Sequence, residues 1–351
     1  MTTEHTIAAV SPSDRLNAMT DVITGWAVRT AVTLELPDLV GEKPISAVEL
    51  ALITCADADA LHRLLRYLSS RDFFHAEADD RFTGSELSAL VRRDHPSGRR
   101  SWLDLDGMGG RNDRTAPYLL DAIRTGRPVY AALYGRAYWD DLAADPKLSS
   151  SFDALMATHG GWFDLVVDAV DWSGAGHVID VGGGPGVLLS KVLLAQPAAT
   201  GAVFDLPGPV AAASRTFADF GVGSRASVLE GSFADGVPAG ADTYLLSNVL
   251  HDWSDADAEA ILGRCAAVLP TQGRVIIAER LIDAAEDAQV TTRMDLRMLL
   301  LVGGKERTLA DFELLAERAG LRMAAVHSTP AGISVLECVT AWRDNSALWS
   351  A

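Results

Sequence analysis

Cysteine is scarce in this chain: Cys55, Cys265 and Cys338 are the only three in 351 residues. They stand far apart, without the spacing of a zinc site or a redox pair. That excludes a disulfide scaffold and leaves reduced thiols in a cytoplasmic protein as the expectation. Long apolar runs are missing too, since no segment reaches the ~18 residues of a membrane span. The first 20 residues, with Glu4, His5 and Asp14, lack the basic start and apolar middle of a secretory leader. Basic charge is in deficit, at 30 Lys+Arg against 47 Asp+Glu for a formal net charge of −17, which argues against a polyanionic partner such as nucleic acid. No His, Asp or Glu cluster shows metal-ligand spacing along the chain, so no metal is expected.

What is present reads as an ordinary globular protein, with 48% hydrophobic and 22% charged residues. The length suggests more than one domain. Residues 1–100 read as a small helical domain. Leu16, Met19, Val22, Ile23, Trp26, Ala27 and Ala31 recur at helical spacing and predict one long helix over 16–35, apolar over a wide arc. Ser46 and Glu49 form a capping-box pattern. Leu61, Leu64, Leu65 and Leu68 predict a further helix over 58–69. Phe73–Ala76 and Arg81–Thr83 then read as two short strands around the polar Asp79-Asp80 turn, which suggests a winged helix. Winged helices often bind DNA, but this stretch holds 11 Lys+Arg against 15 Asp+Glu and no basic cluster beyond Arg92-Arg93 and Arg99-Arg100. A packing or dimerisation role fits it better. Residues 101–172 read as an aromatic-rich helical bridge, some of whose side chains are candidates for lining a pocket.

From His177 onward, apolar strands alternate with helices. Strands are predicted at 177–181, 202–204, 226–229, 243–246 and 275–278, with helices at 187–195 and 255–267 among those between them. This alternation means a parallel sheet covered on both faces. After a helix over 309–319, two more apolar runs at 323–326 and 333–338, joined through Pro330-Ala331-Gly332, predict an antiparallel hairpin at the sheet edge.

Two stretches carry chemistry. Asp180-Val181-Gly182-Gly183-Gly184-Pro185-Gly186 follows the first of these strands, and glycines there let backbone amides approach a ligand. No Lys-Ser/Thr pair follows, and Val187 replaces the third glycine of a dinucleotide fingerprint, so a nucleoside without phosphates is the better fit. Asp205 ends the second strand, 23 residues beyond Gly182, where an acid can accept the hydrogen bonds of a ribose diol. Gly231-Ser232-Phe233 follows the third strand, positioned to flank the base. The second stretch is Leu250-His251-Asp252-Trp253. It places a histidine at the carboxyl edge of the sheet, with Glu279 ending the next strand and Glu306 in the loop 303–308. A carboxylate on one imidazole nitrogen fixes the tautomer and leaves the other nitrogen free to take a proton. A phenol near pKa ~10 facing a histidine near ~6.5 leaves ~3.5 units, or ~5 kcal/mol, which flanking acids narrow; an alcohol near ~16 leaves ~12 kcal/mol. The histidine therefore suits a phenol or enol.

Together, Asp180–Gly186, Phe204–Pro207, Leu250–Trp253 and Gly303–Thr308 resemble the small-molecule O-methyltransferases that use S-adenosylmethionine, both the plant caffeic-acid type and the bacterial aromatic-polyketide type. The resemblance covers nearly the whole chain. It implies an α/β fold: a Rossmann-like class I methyltransferase domain over 173–351, and an N-terminal all-helical winged-helix dimerisation domain. It implies S-adenosylmethionine as cofactor, S-adenosylhomocysteine as product, a homodimer, and His251 as general base flanked by Glu279 and Glu306. Gly182, Gly184, Asp205, Leu206, Ser232, Phe233 and Ser247 are implied cofactor contacts. The stretch 139–146, with Phe152 and Met156 after it, resembles the anthracycline-tailoring branch and implies Tyr138, Phe152, Met156, Asp252 and Arg297 as substrate contacts. The implied function is methyl transfer to a phenolic hydroxyl of an aromatic natural product in antibiotic biosynthesis. Two alternatives stand beside it: a relative that uses the cofactor without methyl transfer, for hydroxylation or decarboxylation, and a winged-helix regulator that senses the nucleoside.

Overall fold

The computed structural model describes residues 11–158, 160–284, 288–329 and 332–341, which fold as two compact units dividing between Arg111 and Asn112. In the first unit, the expected single helix over 16–35 is two helices, Pro12–Thr20 and Val22–Thr33. Asp21 causes the break: its extended backbone (ψ 92°) interrupts the first helix, and its carboxylate accepts the Thr24 amide to start the second. Helix Ala47–Thr54 begins with the capping box that Ser46 and Glu49 announce. Helix Ala58–Ser69 buries Leu61, Leu65 and Leu68. Each such leucine contributes about 1.5–3 kcal/mol relative to exposure. Strands β1 (Ile45–Ser46), β2 (Phe74–Ala76) and β3 (Arg81–Gly84) form an antiparallel sheet in the order β1-β3-β2, with Phe74 and Phe82 in the same core. Leu16, Met19, Val22, Ile23 and Leu52 are all more than half exposed on this unit, an apolar face its own core does not use.

The second unit carries a seven-stranded sheet of β4 (His177–Val181), β5 (Thr200–Asp205), β6 (Ala226–Glu230), β7 (Thr243–Ser247), β8 (Arg274–Arg280), β9 (Leu321–Ser328) and β10 (Ile333–Thr340). The spatial order is β6-β5-β4-β7-β8-β10-β9. The pairs β6-β5-β4-β7-β8 are parallel, and β10 runs antiparallel between β8 and β9. The central strands are apolar on both faces because helices cover both: Ile179, Val181, Tyr244 and Leu246 pack into one core layer, and Val178, Val203, Leu245 and Ile276 into the other. The order reverses between β4 and β7, so the carboxyl ends of these strands open a crevice there. Helix Ala288–Leu301 has no counterpart in the strand and helix periodicity above, and it carries Asp295 and Arg297. The Pro330-Ala331 part of the hairpin connection lies outside the described residues. Among the described residues no helix is long and apolar enough to cross a membrane.

Candidate active site

The loop after β4 turns three times through left-handed backbone, with φ +74° at Gly182, +52° at Gly184 and +75° at Gly186. At Gly186 a Cβ would also lie 2.5 Å from the Phe217 ring, so glycine is required on two counts. The Gly184 amide donates to Asp205 Oδ2 at 3.0 Å and the Leu206 amide to Asp205 Oδ1 at 2.7 Å. Asp205 thereby ties the glycine loop to the end of β5. Asp180 sits beneath the loop, fully buried, with Oδ2 lacking a hydrogen-bond partner. Burial first, and the Asp205 carboxylate second, push its pKa up to about 7. Asp153, on the helix Pro146–Ala157, is raised to about 6 by burial and by the same Asp205. A glycine cradle beside three acids suits a cationic ligand that presents hydroxyls, as S-adenosylmethionine does. Ser232 and Phe233 follow β6; Phe233 packs edge-on against Trp253 at 5.4 Å, and Ser232 Oγ accepts the Ala234 amide. Ser247, ending β7, accepts from the Trp162 indole at 3.1 Å.

The histidine stands on a short turn, Leu250–Asp252, after the left-handed residue Asn248. Its placement has two causes. Glu279 on β8 is wholly buried, and its Oε1 accepts the amides of Val249 at 3.0 Å and Leu250 at 2.9 Å, pinning the start of the turn. Arg307, also wholly buried, donates to the Leu250 and Trp253 carbonyls, each at 2.7 Å, and to Asp255 at 3.0 Å. This clamp brings the loop 303–308 onto the turn. At Gly304 a Cβ would fall 2.1 Å from the His251 carbonyl oxygen, so the two backbones touch only because that residue is glycine. Glu306, held by its amide to Asp295 at 2.9 Å, then meets His251 Nδ1 at 3.0 Å.

His251 Nδ1 also lies 3.8 Å from Glu279 Oε2, and Nε2 lies 3.7 Å from Asp252 Oδ1. Burial opposes charge on the ring, but the fields of Glu279 and Asp252, with the Glu306 hydrogen bond and field, outweigh it and hold His251 well above the usual histidine range. Burial raises Glu279 too, with the imidazole opposing and the neighbouring acids adding to the rise. Asp252 is pushed up to about 6, mainly by burial. Glu306 and Glu279 thus lie on the Nδ1 side of the ring and Asp252 on the Nε2 side.

The expected substrate residues fall in the same unit. Tyr138 is buried, accepts from Asn112 Nδ2 at 3.3 Å, and is raised by burial. Phe152 meets Tyr138 and Trp139 edge-on at 6.4 and 5.7 Å. Met156 is half-buried on the helix that carries Phe152. Arg297 is ion-paired with Asp113. Sequence reasoning missed Arg307, Asp295, Asn112 and Asp113. Arg307 alone had a local signal, as a cation directly after the loop acid; the rest are brought in by the fold. The absence of metal-ligand spacing along the chain also needs qualifying, because the fold gathers ligand atoms of His251, Glu279 and Glu306 within 4.8 Å of one another.

Comparison with known proteins gives the family. An O-methyltransferase domain matches residues 117–322 and an O-methyltransferase dimerisation domain matches residues 17–93. The chain is 44% identical to a 2,7-dihydroxy-5-methyl-1-naphthoate 7-O-methyltransferase of Streptomyces carzinostaticus over 89% of this chain and 93% of that protein. It is 39% identical to the aclacinomycin 10-hydroxylase RdmB of Streptomyces purpurascens, over 92% and 89%. Among solved structures, NcsB1 from neocarzinostatin biosynthesis, in complex with S-adenosyl-L-homocysteine and 1,4-dihydroxy-2-naphthoic acid, superposes with a TM-score of 0.87 at 43% identity, covering 93% of this chain and 98% of that one. The chain therefore belongs to the S-adenosylmethionine-dependent O-methyltransferase family, with a dimerisation domain ahead of its methyltransferase domain.

Proposed function

We propose that this protein methylates a phenolic hydroxyl of a bicyclic or larger aromatic natural product, with His251 as general base. The observation that carries the reading is the 3.0 Å contact between Glu306 and His251 Nδ1, which occupies that nitrogen and leaves Nε2 to take the substrate proton. When bound, S-adenosylmethionine supplies an electrophilic methyl on a sulfonium. The glycine loop, Asp205, Leu206, Ser232, Phe233 and Ser247 hold it. Tyr138, Phe152 and Met156 form the acceptor's aromatic wall, and Arg297 and Asp252 give polar anchors. The raised basicity of His251 narrows the proton-transfer gap to a phenol, so most of the remaining barrier is met by alignment in a dry site. The naphthoate relatives support an acceptor of naphthoate size. The exposed apolar face of the first unit supports a homodimer through the dimerisation domain.

The hydroxylase relative favours one competing reading, in which the cofactor is kept but its methyl is not transferred. Incubation with labelled cofactor and a panel of hydroxynaphthoates, phenolic polyketides and aromatic acids separates the two. Methylation adds one CH₂ to the product mass, hydroxylation one oxygen. His251→Gln is expected to lower turnover about 10²–10⁴-fold, the contribution of a general base, with cofactor affinity nearly unchanged. Full turnover in that variant refutes the assignment.

A further inference from the structure

The acids behind His251 also group with it as candidate metal ligands. His251 Nδ1 lies 3.0 Å from Glu306 Oε1 and 3.8 Å from Glu279 Oε2. All three ligand atoms fall within 4.8 Å of one another. A four-coordinate zinc ion with bonds of about 2.0–2.2 Å needs ligand atoms about 3.3–3.6 Å apart, and the two measured separations bracket that edge. Glu279 Oε2 is buried without a hydrogen-bond partner, while Oε1 is committed to the Val249 and Leu250 amides. That oxygen faces the imidazole nitrogen at 3.8 Å without a hydrogen bond, which leaves its lone pairs available to a ligand. Asp252 adds a third acid beside the ring. Arg307, the buried cation of the same loop, spends its donors on Asp255 and on the Leu250, Trp253 and Lys305 carbonyls.

We propose that His251, Glu279 and Glu306 form an inhibitory site for a borderline divalent cation such as Zn²⁺ or Co²⁺. The ion takes the Nδ1 lone pair of the neutral imidazole, and any proton there leaves to solvent. With Nδ1 metallated, the remaining ring proton resides on Nε2, where the Asp252 carboxylate, 3.7 Å away, favours it electrostatically. Nε2 then has no lone pair for a substrate proton. Binding of the ion is independent of the proposed reaction; its inhibitory effect rests on His251 being the base. The imidazole ligand selects zinc or cobalt over Mg²⁺, which prefers an all-oxygen octahedron.

The test uses the full untagged chain, stripped with chelator and dialysed against ZnCl₂, CoCl₂ or MgCl₂. Expected are one Zn²⁺ or Co²⁺ per chain, and visible absorption from Co²⁺ in a low-coordinate site. Turnover should fall about 10²-fold or more, return on adding EDTA, and leave cofactor Kd unchanged. His251→Gln and Glu279→Gln should each lose the ion, and the glutamine carbonyl still serves the two amides that Glu279 holds. No bound ion in the wild type, or equal binding in both variants, overturns the site; if neither variant folds, the wild-type Co²⁺ spectrum decides. An ion that binds and is lost in the variants, yet leaves turnover intact, overturns the inhibition and counts against His251 as base while the site stands.

Discussion

Glu306→Gln removes one charge from the imidazole and leaves the shape of the loop. In the wild type the carboxylate accepts from, and charges, His251 Nδ1 at 3.0 Å with almost no solvent contact. A hydrogen bond to a charged group of this kind contributes about 1.5–3 kcal/mol. At 1.36 kcal/mol per unit, losing it lowers the His251 pKa by about 1–2 units, since Glu279 and Asp252 remain. The sign follows from the direction of the wild-type shift. His251 is held above its ordinary value, so the rising limb of turnover against pH lies at high pH. In the variant that limb moves to lower pH while its plateau falls by up to about 100-fold, because the base is weaker. The deficit is therefore small on the acid side and grows with pH. The assay is kcat from pH 6 to 10 with saturating cofactor, alongside cofactor Kd to exclude a folding defect. A uniform loss with an unmoved limb would show that Glu306 only holds the loop. Unchanged turnover would remove it from the catalytic group altogether.

Two further outcomes follow from the same geometry. Asp180 is raised from 3.8 to about 7, so between those values the unfolded chain loses a proton that the folded chain keeps, and stability falls as pH rises. The full penalty above pH 7 is of order 4 kcal/mol, and Asp180→Asn should flatten the decline of Tm from pH 5 to 8 in cofactor-free protein; parallel slopes for the two proteins would refute it. Gly304→Ala forces a methyl into the His251 carbonyl, so loop 303–308 must retreat and take Glu306 with it. Turnover should drop severely with cofactor Kd preserved, and a crystal structure with the Glu306 contact intact would contradict this.

Sequence periodicity was sufficient for the doubly covered sheet, because buried parallel strands are continuous apolar runs and their helices repeat at a different period. The glycine loop, Asp205 and the His251 turn were legible for a similar local reason: each needs particular residue types at particular chain offsets. The break at Asp21 was not legible, since a capping aspartate inside a helical pattern reads equally as a surface residue. The pairing of Arg297 with Asp113, 184 positions apart, leaves no periodic trace.

What the chain alone determined was which residues are candidates for the chemistry, because strand ends, glycine φ values and caps depend on neighbours in sequence. What only the tertiary structure decided was their electrostatics. Glu279, His251 and Glu306 come from three separate segments, and the shifts of His251 and Glu279 arise from burial and from the fields of their neighbours. Fields depend on distance through space and on exclusion of water, and neither is written in the order of residues.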